Sequence, residues 1–392
     1  MLSPISKASF ARVTSPEILP GSSQTIVKYR VEGDTFTEPE LWFSIWNKYD
    51  HWISPRMDGA LLALLIPAMR RNLNLYLDGI VTDTLLFNVN QDIQSLLRTL
   101  DPSLNHIVVT AREHEPADRP SQHIATGFSG GVDSFSTIGD YFLATNIPQN
   151  LRLTHLMYFN VGSHGPGGER LFRERWQRLA PTADRLGLPF IRVNSNLDDW
   201  FDRADDFPST HVLRTLAASI VLSGGIGRYL HSSTYAWSVF QAMPDPFYSS
   251  RSEPMLVPLL STGASVVQSV GSSRSRLERI KFVSTIKESY DSLDVCQSPL
   301  AAGNSSKCRK CLQTMLEMDL QDVLHLYESV FDVKRYRSNR EAIIAHFWTR
   351  TRPQDRDIQT LIKEHHLEPS LLEVSKQRLV TKANRFKHSI LG

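Results

Sequence analysis

The chain has 392 residues, 41% of them hydrophobic and 21% charged, with a formal net charge of +2. That composition is globular and the length allows two domains with cores of their own. Three cysteines exclude a disulfide framework, and no apolar run approaches the ~20 residues that span a bilayer. Met1–Lys7 has no basic stretch followed by an apolar core, so no signal peptide and a reducing, cytoplasmic setting are expected.

In chain order, residues 1 to about 115 read as a smaller α+β domain. Asp58–Met69 is a buried helix interrupted near Pro67, and Asn74–Leu77 a strand before an Asp78-Gly79 turn. Val81–Leu100 is a second helix, and Asn105–Ala111 a strand. Trp42, Trp46, Tyr49 and Trp52 read as core rather than as a ligand platform. Glu113–Ser121, with two prolines and several charges, reads as a linker.

From about residue 122 strands alternate with helices. Ile124–Phe128, Leu153–Val161, Pro189–Asn194 and Arg228–Ser232 are the expected strands, and in Glu169–Leu186 the apolar residues recur at helical spacing. Alternation of this kind predicts a parallel sheet with helices on its faces. Ligands then bind beyond the carboxyl ends of the strands, which gathers Ser129–Ser134, Asn160–His164, Asn194–Asn196 and Ser232–Tyr235 on one rim.

The first of these loops, Ser129-Gly130-Gly131-Val132-Asp133-Ser134, joins a strand to a helix. Two glycines allow close approach of an anion, the backbone N–H groups converge, and Ser129 and Ser134 add hydroxyls. Asp133 can hold a metal ion or cap the helix. No lysine follows, so this is not a Walker loop, and the glycine spacing does not fit the dinucleotide fingerprint. Gly127-Phe128-Ser129-Gly130-Gly131 also matches the G-x-S-x-G nucleophile elbow of hydrolases. In that alternative Ser129 is a nucleophile served by Asp198 or Asp245 and a later histidine.

The full six-residue string resembles the PP-loop of the N-type ATP pyrophosphatases, the adenine nucleotide alpha-hydrolase-like superfamily. The resemblance implies a HUP-like, Rossmann-like α/β domain over residues 122–320. It implies that Ser129, Gly130, Gly131, Val132, Asp133 and Ser134, with Phe159 and Asn160, bind ATP, and that Asp133 carries Mg2+. The activity implied is adenylation of a substrate oxygen with release of pyrophosphate.

Downstream strings narrow the resemblance. Gly162, Gly165, Gly167 and Gly168 make a glycine-rich loop after the second strand, and His211-x-x-Arg214 precedes an apolar helix with both residues at helical spacing. Then come Ser232-Ser233-Thr234-Tyr235, Ser252-Glu253-Pro254 running toward an expected aliphatic strand and Leu260-Ser261-Thr262, and Ser275-Arg276-Leu277-Glu278-Arg279. In this order they are similar to the branch related to 7-cyano-7-deazaguanine synthase, whose basic helix reads S-R-x-E-K. Arg276, then Arg214, are the expected partners of the leaving pyrophosphate. That branch also carries four cysteines for one structural zinc. Here Cys296, Cys308 and Cys311 remain and Ser305 stands at the fourth position, so Zn2+ is retained only if another group completes the shell. Cys308-x-x-Cys311 also suits a sulfur-relay or redox role.

Residues 321–392 read as a helical, basic C-terminal region. Lys334–Gly392 holds 13 Lys/Arg against 6 Asp/Glu. A nucleic-acid or acidic protein partner is one reading of that excess, and a solvated helical surface the other. Relatives imply a homodimer. The expected function is an AMP-forming ligase that activates a carboxylate or amide oxygen for attack by an amine or ammonia. The alternatives are a sulfur transferase acting on a base or tRNA, a serine hydrolase, and a non-catalytic nucleotide-binding subunit.

Overall fold

The computed structural model describes residues 9–33, 36–165, 168–201, 207–239, 252–298, 300–350 and 355–375. By the density of their contacts they fall into two compact units. The first comprises residues up to Ser129 together with Ser136–Ser275, the second Gly130–Phe135 together with the chain from Arg276 onward.

The first unit is α/β, built on one large mixed sheet. Its strands are β1 (Phe10–Thr14), β2 (Glu17–Pro20), β3 (Gln24–Glu32), β4 (Glu40–Trp46), β5 (Asn74–Thr82), β6 (Val109–Glu115), β7 (His123–Gly127), β8 (His155–Phe159), β9 (Phe190–Ser195), β10 (Ile226–Ser232) and β11 (Val266–Val270). They run in the order β11-β10-β7-β8-β9-β4-β3-β1-β5-β6, with β2 paired to β3. β11 through β9 are parallel neighbours, as are β1, β5 and β6, and the antiparallel strands β3 and β4 join the two blocks. Counted from β7, the five parallel strands stand in the order 3-2-1-4-5. This is the doubly wound arrangement, and its strand order reverses between β7 and β10.

Residues 10–115 do not stand apart as the sequence suggested. β4 pairs with β9 antiparallel, Ile45 opposite Val193, so the sheet runs through the expected boundary. The reason is visible in α1 (Asp58–Arg71), which is apolar on every side and buried almost throughout. A helix of that kind cannot present one face to water. It packs against α6 (Phe207–Ile220), and residues such as Leu61, Leu65, Leu213 and Leu216 share one core.

Other boundaries also moved. α1 continues through Pro67 to Arg71 and ends at Asn72 in the left-handed conformation. Asp78-Gly79 is not a turn: β5 passes through it with a register shift against β6, and Asp78 pairs with Arg12 and Arg112. The expected helix Val81–Leu100 divides into α2 (Asp83–Asn88), a wider turn (Val89–Ile93) and α3 (Gln94–Leu100). β6 starts later than expected and takes the first residues of the supposed linker. Ser252–Thr262 is helical rather than a strand over α7 (Glu253–Leu259), with Pro254 in the first turn where its missing N–H costs nothing. Strands β1 to β4 and β11 had no counterpart in the sequence reading. Of the aromatic group, Tyr49 is buried and Trp42, Trp46 and Trp52 are half-buried. The long helix α5 (Glu169–Leu186) forms as expected.

In the second unit, the turn Gly130–Phe135 is grouped with α8 (Arg276–Val283), α9 (Arg309–Asp319), α10 (Val333–Ser338), α11 (Arg340–Trp348) and α12 (Arg356–Glu364). Met315, Leu316, Tyr327, Phe331, Tyr336 and Phe347 are buried in it. Part of the C-terminal basic excess is structural: Asp355 is fully buried and accepts from Arg309 and Arg350, each at 2.9 Å. Residues 376–392 of the basic tail lie outside the described part. Among the described residues, no helix is long and apolar enough to cross a membrane.

Candidate functional site

The loop after β7 leaves the sheet beside the reversal of strand order. Phe128 is buried, with its N–H bonded to the Met157 carbonyl at 2.8 Å, and Ser129 is exposed. Gly130 has φ +75, a left-handed conformation that side chains disfavour, so the turn needs glycine there. Its carbonyl accepts from the Asp294 N–H at 2.8 Å. α4 (Val132–Ile138) follows directly. The Ser134 hydroxyl, read from the sequence as a phosphate ligand, is buried and donates back to the Gly131 carbonyl at 2.9 Å. It fastens the turn.

Asp133 is the anchor of the loop within the second unit. Its Oδ1 accepts from Nη1 of Arg279 at 2.7 Å, and Arg279 is 1% exposed. The sequence reading favoured Arg276. In the structure Arg276 gives its Nε to Glu317 at 2.9 Å and its Nη2 to the Thr314 hydroxyl at 2.8 Å. Burial pushes the Glu317 carboxyl up, and Arg276 opposes the shift. Lys310 is half-buried near Arg276 and Asp133; burial first, and then the Arg276 charge, pushes its ammonium group down. Arg279, Lys310 and Glu317 were thus missed. Arg279 alone left a signal, since it fills the last position of the S-R-x-E-K string.

Arg214 differs from its expected role. It is 1% exposed, bonds Asp198 at 2.8 Å and the Thr210 hydroxyl at 2.8 Å, and lies 3.6 Å from the Phe201 ring centre. A guanidinium so enclosed braces the rim and is not offered to a phosphate. The same bond commits Oδ1 of Asp198 to Arg214. Asp245 lies outside the described residues. His211, one helical turn before Arg214, faces different partners: Glu253 and, through Nδ1, the Pro208 carbonyl.

On the rim of the first unit, Phe159 is buried and Asn160 is held by Asn194 at 2.7 Å, while the Asn160 carbonyl accepts from the Ser195 hydroxyl at 2.6 Å. Ser232, at the end of β10, shares a hydroxyl bond with Thr137 at 2.8 Å. His164 turns inward from the glycine-rich loop, with Nε2 2.9 Å from the Tyr158 hydroxyl. Gly167 of that loop is outside the described residues.

The three cysteines converge within the second unit. Sγ of Cys308 is 3.8 Å from Sγ of Cys296 and 3.4 Å from Sγ of Cys311. The Ser305 hydroxyl oxygen lies 3.3 Å from the Cys296 sulfur and 3.9 Å from the Cys311 sulfur. Zn–S bonds of roughly 2.3 Å give tetrahedral edges of roughly 3.8 Å, and these four separations are of that size. Backbone N–H groups of Ser298 and Ser305 point at the Cys296 sulfur, both at 3.4 Å. Cys308 caps α9; hydrogen bonding from Cys311 lowers its thiol pKa, while the same pairing and burial push Cys311 up.

Comparison of the chain with protein-family models, with curated proteins and with solved structures gave no match.

Proposed function

We propose that the chain is an ATP-dependent, AMP-forming ligase of the PP-loop type. One observation carries the reading: the Ser-Gly-Gly-Val-Asp-Ser loop follows the strand beside which the sheet order reverses, and a buried arginine, Arg279, holds its aspartate. Loops at such reversals are where doubly wound sheets bind nucleotides. The HUP-like assignment, the residues Ser129–Asp133 as the triphosphate cradle, and Phe159 and Asn160 as nucleotide contacts belong to this proposal.

In it a substrate carboxylate or amide oxygen attacks the α-phosphorus and pyrophosphate leaves. The oxygen, a poor leaving group by itself, departs later as part of AMP when an amine or ammonia attacks. Charge grows on the pyrophosphate in the first step. Backbone N–H groups of the loop, with Lys310, are suited to stabilise it, while the buried Arg279 holds Asp133 in place. Mg2+ would be held by Asp133 together with the nucleotide's own phosphate oxygens, the usual arrangement for this ion. Cys296, Cys308, Cys311 and the Ser305 oxygen would hold Zn2+, whose contribution is to lock the turn into α9. The homodimer and an acidic or nucleic-acid partner for the C-terminal helices are part of the same reading.

A sulfur-transfer reading has one observation in its favour, the Cys308-x-x-Cys311 pair at the start of α9 with its sulfurs 3.4 Å apart. The deciding experiment is incubation with α-labelled ATP and cell extract. Labelled AMP with pyrophosphate supports the ligase; labelled ADP, or bound and unchanged ATP, refutes it. Turnover that vanishes in Cys308→Ser while ATP–pyrophosphate exchange persists favours sulfur transfer.

A further inference from the structure

His211 on α6, His231 on β10 and Glu253 at the start of α7 meet in the first unit, and no step of the proposed reaction uses them. The Glu253 side chain is fully buried. Its Oε2 accepts from the Thr234 N–H at 3.0 Å, and its Oε1 lies 3.2 Å from the Thr234 hydroxyl. That clamp aims Oε1 at both imidazoles, with His211 Nε2 at 3.5 Å and His231 Nε2 at 3.6 Å. The three donor atoms all lie within 4.8 Å of one another.

Those distances are long for charge-assisted hydrogen bonds, which settle near 2.7–2.9 Å. They suit ligand–ligand edges around a shared ion: bonds of roughly 2.1 Å give tetrahedral edges of roughly 3.4 Å. The outer contacts agree. Nδ1 of His211 is 3.1 Å from the Pro208 carbonyl, so Nδ1 is the donor there and Nε2 is the nitrogen that faces Glu253. A ring whose far nitrogen is fixed by a backbone carbonyl is the usual form of a metal-binding histidine.

We propose that His211, His231 and Glu253 bind a divalent transition-metal ion, Zn2+ by its donor set, separate from the cysteine cluster. Two imidazoles and one carboxylate suit zinc and disfavour Mg2+ or Ca2+. Three protein donors leave a tetrahedral ion one position for an exchangeable oxygen or nitrogen ligand, as in catalytic rather than structural zinc sites. The site does not depend on the nucleotide reading.

The test counts metal. Full-length wild type and His211→Ala, stripped with chelator and dialysed against Zn2+, are analysed for zinc per chain; a parallel sample takes Co2+. Wild type is expected to hold one ion more than the variant. Its Co2+ spectrum should add weak bands from a nitrogen–oxygen site to the strong thiolate–cobalt absorption, and only the weak bands should vanish in the variant. Circular dichroism checks that the variant is folded, and the wild-type measurement stands without it. If wild-type metal is fully accounted for by the thiolate absorption, or if folded His211→Ala holds as much zinc as wild type, the proposal is overturned.

Discussion

The Asp133–Arg279 pair makes an asymmetric expectation for stability. A guanidinium and a carboxylate whose nearest atoms are 2.7 Å apart have charge centres about 4 Å apart and attract by about 4 kcal/mol at an effective dielectric of about 20. Their surroundings differ: Arg279 is 1% exposed and the Asp133 side chain 27% exposed. Asp133→Asn leaves a buried cation without that carboxylate, and the cost should be about 3 kcal/mol, near the lower end for a broken buried pair. Arg279→Met keeps most of the packing and leaves an aspartate that water can reach, so the loss should be nearer 1 kcal/mol. Urea unfolding followed by fluorescence measures both, compared at equal slope. If Arg279→Met is the more damaging change, or if neither moves the midpoint, the pair is not what secures the loop and the argument fails.

Three further expectations follow from other sites. In β10, a Cβ at Gly227 would stand 1.8 Å from the Ser121 carbonyl oxygen, so Gly227→Ala should cost about 1–3 kcal/mol of stability, read from its thermal melt. His155 and His164 are lowered from 6.5 to about 4 and about 3, burial being the main cause in each. Neutral in the fold, they stabilise fully above pH 6.5. That contribution drains as pH falls toward 4 and 3, on the order of 3 to 5 kcal/mol each at about 1.4 kcal/mol per unit. His164→Gln should flatten the acid limb of a stability–pH curve, and an unchanged limb counts against the reasoning. Ser305→Cys supplies a fourth thiolate and should tighten zinc retention by on the order of tenfold or more, measured by competition with a coloured chelator; unchanged retention would place Ser305 outside the cluster.

The parallel strands β7 to β10, the long helix α5 and the loop Ser129–Ser134 were legible because each rests on local pattern. Alternation of apolar runs, 3.6-residue spacing and a glycine pair in a fixed string need no knowledge of what lies opposite. In the first fifty residues β3 carries a period-two signal of the same kind, with Thr25, Val27, Tyr29 and Val31 all buried. The partner assignments were not legible. Arg276 and Arg279 are three residues apart on one helix, and both types suit a phosphate. Which one meets Asp133 depends on how α8 is rotated against the turn. The same holds for Arg214, whose charge is settled by Asp198, 16 positions away in the chain.

By itself the sequence determined an α/β chain with a glycine turn after a central strand, because backbone preference and hydrophobic period act over a few residues. Only the tertiary structure decided that the N-terminal strands extend the same sheet. It alone chose the arginine that grips the loop and brought two histidines to one buried glutamate. Each of these rests on pairing between residues remote in the chain, where burial makes a charge seek whatever counter-charge the packing brings within reach.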